Sequence, residues 1–549
     1  DFARGNLFSQ SSHRAPAEFL VPKSAGQYIQ PGSNAWAVSG SHTVDGKAML
    51  ANDPHLAYSM PSIWHMVHLK APGLDVIGVT LPGVPCVISG HNQNISWGVT
   101  NVGADYQDLY EEQLDPKTGR YLFDGKPQQA SLDRQMIGIY GGAPVEVNTW
   151  VTRHGPIIFS TGKRSYALRW TATDGFGFPF LDLDRASTWD EFCAALRSFW
   201  GPPQNFIYAD KAGNIGYRAT GAMPIRRDFD GDAPLDGSSG KFEWNGYVPF
   251  EQLPYFYNPA SGIVATANQN PFPPDFAYRV NGNFADSYRV EQIRARLAAK
   301  SKLSVDDMLA IQTDVYSAYH YFLARQILSI LAARPEEGGD LVRQAGNVLK
   351  PWNGQMDKDQ AAPLITDLFD QEIDSELLKT VGGGRTFNLH VRPQVIQRLL
   401  QLRPSGWVPG DDWNKWLLYR FIAAIDAGRK MQGTPVSRWR YGNALRWKIA
   451  HPIGAQLPFV DRYFDIGPVS MSGAGTTVKQ TTSSQGPSMR MVIDWGNIDR
   501  SVQNLATGES GMVASRHYKD QWTAYYTGKS FPMQFERITP KETLRVRPE

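Results

Sequence analysis

After residue 32 the chain breaks into short β-type runs separated by Gly, Asn, Asp and Pro. They include Trp36-Ala37-Val38, Ala48-Met49-Leu50-Ala51, Trp64–Leu69, Asp75–Val79 and Ile95–Val99. Their spacing of about ten residues predicts a sheet of successive antiparallel strands. Val145–Val151 and Pro156–Ser160 continue the pattern, as does Phe206–Ala209, whose turn Asp210–Asn214 leads into Ile215–Arg218. The middle of the chain changes period. Ser304 followed by Asp307 forms a capping-box pattern ahead of Val305, Met308, Leu309 and Ile311. Tyr321–Ala333, Ala361–Leu378 and Pro393–Arg403 also read as helices. From Tyr441 the strands return, with Met489–Trp495 and Trp522–Tyr526 the clearest. Strands, then helices, then strands predict an α+β class.

Composition narrows the function. The 549 residues carry a net charge of +2, too weak a field to argue for nucleic acid or an anionic membrane. Aromatic residues make up 12% of the chain, which excludes a disordered chain. The 2 cysteines, Cys86 and Cys193, exclude a disulfide scaffold and a Cys-based zinc module. They leave two buried thiols or a single bridge. No apolar run reaches the roughly 20 residues of a membrane span. The start Asp1-Phe2-Ala3-Arg4 is no signal peptide and reads as an interior cut of a longer precursor. Residues 1–32, rich in Ser, Gln, Pro and Gly, read as a linker.

Common catalytic motifs are absent: no G-x-S-x-G elbow, H-E-x-x-H, P-loop or G-x-G-x-x-G. Ser160-Thr161-Gly162-Lys163 matches S-x-x-K, and Lys117-Thr118-Gly119 matches K-T-G. Their order is reversed from that of the serine β-lactamases, and Ser160 ends a strand. The informative junction is Gly32-Ser33-Asn34-Ala35-Trp36, where linker meets first strand. A cut before Ser33 gives one residue both a hydroxyl nucleophile and an α-amine of pKa about 7.7–8.0 to act as its base. Gly32, without a Cβ, suits attack by Ser33 on its own upstream carbonyl. Read alone, the same residues also fit an ordinary Ser-Asn turn, and His55 after Asp53-Pro54 fits a surface-turn histidine.

Ser33-Asn34-Ala35-Trp36 followed by Asn52-Asp53-Pro54-His55 resembles the β-subunit start of the penicillin acylase family of N-terminal-nucleophile hydrolases. The family includes penicillin, cephalosporin/glutaryl and acyl-homoserine-lactone acylases. The resemblance continues through Gly90-His91-Asn92, Ile95-Ser96-Trp97-Gly98, Asp105…Asp108-Leu109-Tyr110 and Thr152-Arg153-His154-Gly155-Pro156. It extends to Pro203-Gln204-Asn205-Phe206, Ala267-Asn268-Gln269-Asn270-Pro271, Ser287-Tyr288-Arg289, Gly508-Glu509-Ser510-Gly511 and His517-Tyr518.

This resemblance implies a four-layer αββα sandwich over residues 33–549, with a helical insertion at about 300–430. Residues 1–32 become a spacer or the tail of an α-subunit from the same precursor. The precursor is expected to cut itself before Ser33, in the periplasm or outside the cell. Ser33 then matches the nucleophile, and His55 a histidine that holds the serine and its amine and helps self-cleavage. Val102 matches the oxyanion position that uses a backbone N–H. Asn270, favoured over Asn268, matches the oxyanion side-chain amide, and Arg289 an arginine that orients it. Asp105 and Asp108 resemble part of a structural calcium site; read as ordinary residues they are turn and capping carboxylates. No organic cofactor is implied. Leu56, Met60, Trp64 and Val102 suggest a hydrophobic acyl pocket. The resemblance points first to acyl-homoserine lactones or aliphatic acyl amides, then to a β-lactam (penicillin/cephalosporin) acylase. A non-catalytic binding subunit predicts loss of Ser33 or of the oxyanion donors, and both are present.

Overall fold

The computed structural model describes residues 20–24, 27–28, 32–161, 164–381, 389–454 and 459–547. Two seven-stranded sheets stack face to face. One runs in the order Ile263–Thr266, Gly32–Val38, Met49–Ala57, Met489–Asp494, Val502–Leu505 and Phe531–Pro532, with Gln485–Pro487 also pairing with Met49–Ala57. The other runs Tyr255–Tyr257, Ile215–Thr220, Gln204–Asp210, Ile95–Asn101, Ser89–Asn92, Leu74–Thr80 and His65–Ala71. Every pairing within both sheets is antiparallel.

The two-residue period of a strand sorts the first strand's side chains between layers. Ala35 and Ala37 face the second sheet and share a core with Trp97, Val99 and Phe206. Trp36 and Val38 face the other way, into a cluster with Val290, Ile293, Leu297 and Met308. Those residues belong to the helices Tyr288–Ala298 and Val305–Gln312, which cover the first sheet. Helices Phe180–Arg185 and Trp189–Leu196 cover the second, through Phe180, Leu183 and Phe192. The order is helix, sheet, sheet, helix: an α+β sandwich of four layers. The expected capping box forms at Ser304 and Asp307.

The helical region is a compact body of its own. Ala318–Ala333, Gly339–Leu349, Ala362–Val381, Pro393–Leu402 and Trp413–Gln432 pack around Leu323, Ile327, Ile365, Phe369 and Phe421. Trp522–Tyr526 was expected as a strand and is a helix. Trp522, Tyr525 and Tyr526 recur at helical spacing and all pack on this helical core. In the segment before residue 33, Leu20–Ser24 pairs with Gln27–Tyr28 and with Leu389–Val391, so the expected linker contains strand. Gly32 itself is the first residue of the Ser33 strand, which runs unbroken through the expected boundary. Both cysteines are free; Cys86 is buried and Cys193 only partly so. Lys163 of the S-x-x-K match lies outside the described residues, and Ser160 sits in the exposed part of the strand Gly155–Thr161.

Trp36 is fully buried and its indole N–H points at the Met308 sulfur, 3.3 Å away. Trp36→Ala is expected to cost about 3–5 kcal/mol, because the sheet and helices cannot close on so large a void. A shifted midpoint in urea unfolding measures it.

Candidate active site

Register brings the site together. Along the pair formed by the first two strands, Gly32 faces His55, Ser33 faces Pro54 and Asn34 faces Asp53. Gly32, Asn34, Asp53 and His55 therefore lie on the helix-covered face, with Trp36. Ser33 lies on the opposite face, with Ala35 and Ala37. Ser33 is 7% exposed, and its hydroxyl donates to the Gly32 carbonyl oxygen at 2.6 Å. Its backbone N–H donates to Asn268 Oδ1 at 2.7 Å.

Asn268, not the favoured Asn270, is the asparagine beside Ser33. Asn268 is buried, whereas Asn270 is exposed and caps its own turn by accepting from the Phe272 N–H. A backbone φ of 68° at Asn268 turns its side chain inward. Asparagine is among the few residues that tolerate that left-handed geometry. The Asn268 amide also donates to the Asn101 carbonyl oxygen at 2.8 Å, and that bond uses only one of its two N–H groups.

Arg289 enters from the first turn of the helix Tyr288–Ala298 and is 2% exposed. Its guanidinium donates to the Ser33 carbonyl oxygen at 2.9 Å, to Asn34 Oδ1 at 2.8 Å and to Asn268 Oδ1 at 2.9 Å. The carboxylates close to it in sequence are engaged elsewhere. Asp286 pairs with Arg392 at 2.8 Å, and Glu291 accepts from the Ser287 hydroxyl.

His55 is no surface-turn histidine. The strand Met49–Ala57 carries it into the interior, where it is 1% exposed. Its Nε2 is 2.8 Å from Asp53 Oδ2, and its Nδ1 is 3.0 Å from the Gln480 side-chain amide. Burial pulls its pKa below the usual histidine value, and the Asp53 carboxylate opposes that pull. Asp53 is fully buried; it also accepts from the Asn34 amide at 2.9 Å and from the Gln312 amide at 3.2 Å. Asp53, Gln312 and Gln480 were not singled out as site residues from the sequence. Asp53 had a signal in its two-residue offset from His55. Gln480, 425 positions from His55, had none.

Val102 does not offer a free donor. Its N–H donates to the Pro203 carbonyl oxygen at 3.1 Å. Successive residues of an antiparallel strand present their N–H and C=O to alternate edges. The neighbouring Asn101 ends the strand Ile95–Asn101, and its carbonyl oxygen accepts from the Asn268 amide at 2.8 Å and the Asn205 amide at 3.1 Å. Asn101 and Asn268 also line a cavity of about 1600 Å³, together with Gly103, Phe284, Arg392 and Trp407. Leu56, Met60, Trp64 and Val102 do not line it. Met60 packs with Ile449 and Ile466, while Trp64 is tied to Ser488 Oγ at 2.8 Å.

The expected calcium carboxylates are also placed differently. Asp108 is fully buried, and an arginine occupies it: Arg226 Nε reaches Oδ2 at 2.8 Å and Nη2 reaches Oδ1 at 3.2 Å. The Trp244 indole N–H donates to the same carboxylate at 2.5 Å. Gly231, with φ of 81°, packs so closely that a Cβ there would lie 2.1 Å from Asp108 Oδ1. Arg226 also donates to the Asp105 carbonyl oxygen at 3.2 Å. Burial raises the Asp105 carboxyl to about 6, with Arg226 lowering it and Asp232 adding to the rise. Among the described residues no group of three or more His, Cys, Asp or Glu side chains could hold a metal ion. Asp105 and Asp108 as they stand do not fit a calcium site, because the guanidinium already supplies the positive charge.

A serine at the start of a strand in an αββα sandwich, its N–H on an asparagine amide, is the arrangement against which known proteins can be set. The penicillin amidase family model matches residues 2–541. The chain belongs to the penicillin amidase family. It is therefore an amide-cleaving hydrolase, an acylase of that family. The acyl-homoserine lactone acylase QuiP of Pseudomonas aeruginosa is 27% identical to it, over 94% of this chain and 69% of that protein. The penicillin acylase 2 proenzyme of Pseudomonas sp. strain SE83 is 30% identical, over 93% of this chain and 69% of that one. The structure of the thermostable penicillin G acylase from Alcaligenes faecalis aligns with a TM-score of 0.73 at 22% identity. That alignment covers 94% of this chain and 100% of the other, and the two share one fold. Among the described residues no helix is long and apolar enough to cross a membrane.

Two measurements test the Asp108 pair. Arg226→Met is expected to destabilise the protein by about 3–5 kcal/mol, since it strands a buried carboxylate. Chelation of divalent cations is expected to leave the melting temperature of the unaltered protein unchanged.

Proposed function

We propose that this protein hydrolyses the amide bond of small N-acyl substrates through Ser33, after self-cleavage has made Ser33 an N-terminus. The observation that carries this reading is the Ser33 N–H on Asn268 Oδ1, with the Ser33 hydroxyl 2.6 Å from the Gly32 carbonyl oxygen. The hydroxyl already lies against the peptide it would attack, and the nitrogen it would free is already seated.

In the mature enzyme the Ser33 amine takes the hydroxyl proton, directly or through a water, and Oγ attacks the substrate carbonyl. The oxyanion is held by the second N–H of the Asn268 amide and by the Asn101 N–H. Asn101 takes the place expected for Val102, whose N–H is bonded to Pro203. Arg289 fixes the Asn268 oxygen and so aims its nitrogen. The protonated amine then passes its proton to the leaving amine, and water repeats the cycle on the ester. No organic cofactor is required.

For the substrate we favour acyl-homoserine lactones or aliphatic acyl amides, supported by the similarity to lactone acylases. Penicillins and cephalosporins are the second reading, supported by the similarity to a penicillin acylase at 30% identity. A subunit from the same precursor and a periplasmic or secreted location complete the proposal; both rest on the family resemblance.

Ser33→Ala is expected to abolish both chain cleavage and amine release, and Asn268→Ala to lower kcat by about 100–1000-fold. N-terminal sequencing of active protein should read Ser-Asn-Ala-Trp. An intact Gly32–Ser33 bond in active enzyme would overturn the assignment. Initial rates on acyl-homoserine lactones, penicillin G, penicillin V and glutaryl-cephalosporin decide the substrate class.

A further inference from the structure

The two faces of the Ser33 strand do different things. Ser33 alternates onto the inter-sheet face with Ala35 and Ala37. Asp53 and His55 lie on the helix-covered face, and His55 and Gln480 close around Gly32. A Cβ on Gly32 would sit 1.5 Å from Gln480 Oε1 and 3.0 Å from His55 Nδ1. His55 and Gln480 are thus the wall against which Gly32 is seated. Asp53 in turn fixes the ring of His55 through Nε2 at 2.8 Å. A neutral ring has one N–H. It goes to Asp53 Oδ2 or to Gln480 Oε1, the oxygens that face Nε2 and Nδ1.

Resting on the reading of Ser33 as the nucleophile, we propose that Asp53 is a positioning residue for self-cleavage rather than for substrate turnover. Through His55 it presses the Gly32 carbonyl onto Ser33 Oγ. In that step the bond from Oγ to the Gly32 carbonyl carbon forms as the Gly32–Ser33 C–N bond breaks. The hydroxyl proton ends on the Ser33 nitrogen, and water later splits the ester to leave a Gly32 carboxylate. The geometry matters most here because an intramolecular attack depends on a near-attack contact. Once Gly32 has departed, the wall no longer has anything to hold. Substrate then meets Ser33, Asn268 and Asn101.

The test follows two rates in the full chain carrying Asp53→Asn. One is conversion of intact chain to fragments, by mass spectrometry. The other is amine release per cleaved molecule. The expected result is cleavage slowed by roughly 10–100-fold, the range for loss of a group that orients a histidine, with a clearly smaller loss of turnover per cleaved molecule. Gln480→Met, which removes the other half of the wall, should show the same split and serves if Asp53→Asn fails to fold. Cleavage within twofold of wild type overturns the role of Asp53. Equal loss of both rates also overturns it, since that marks a purely structural contribution. Cleavage persisting in Ser33→Ala would instead overturn the nucleophile assignment, so the two failures are distinguishable.

Discussion

The geometry of the site hangs on one oxygen, Oδ1 of Asn268. It accepts from the Ser33 N–H and from the Arg289 guanidinium, both within 2.9 Å. These donors come from different layers: Ser33 from the inner sheet, Arg289 from a covering helix. Asn268 follows directly on the strand Ile263–Thr266, the edge neighbour of the Ser33 strand. Three segments far apart in sequence therefore converge on one acceptor. A carbonyl oxygen with two lone pairs is filled by two donors, so the amide cannot rotate without leaving buried N–H groups unpaired. The nitrogen end of the same amide is aimed by that constraint. The oxyanion donor proposed above is thus set by bonds that never touch the substrate.

Arg226 plays a comparable part behind Asp105 and Asp108, which line the cavity. A calcium ion can be gained or lost with the composition of the surroundings. A guanidinium is always charged and is covalently part of the chain. The fork of its N–H groups matches the Asp108 carboxylate, and its remaining donors reach the Asp105 carbonyl oxygen. The loop that follows Asn101 is therefore anchored from within.

Much of this was legible in the sequence. Ser33, His55 and Arg289 lie in local motifs, and the alternation of the first strands fixes which side chains share a face. The two layers of helix follow from the same alternation, with Trp36 facing outward and Ala35 inward. The misplacements share a physical cause. Asn268 versus Asn270, and Asn101 versus Val102 in the mechanism proposed above, are choices between neighbours that turn on backbone direction: a left-handed φ in one case, the end of a strand in the other. Neither leaves a mark in residue type strong enough to read. Asp108 looked like a ligand because its partner, Arg226, is 118 positions away. Trp522–Tyr526 looked like a strand because three aromatics in five residues carry strand propensity, and tertiary packing on the helical core outweighed it.

The Gly32–Ser33 peptide lies inside a paired strand, with Gly32 held opposite His55 by the sheet ladder. External proteases need several residues of loose chain in their cleft, and a sheet interior offers none. A bond placed there can be opened only by groups the fold itself has brought alongside. Under the cleavage proposed above, the N-terminus that results is ordered and screened from water from the start, rather than a free end that must find its seat. On that proposal, catalytic competence is a report on folding: a chain whose two sheets have not assembled has no route to the amine, and stays silent.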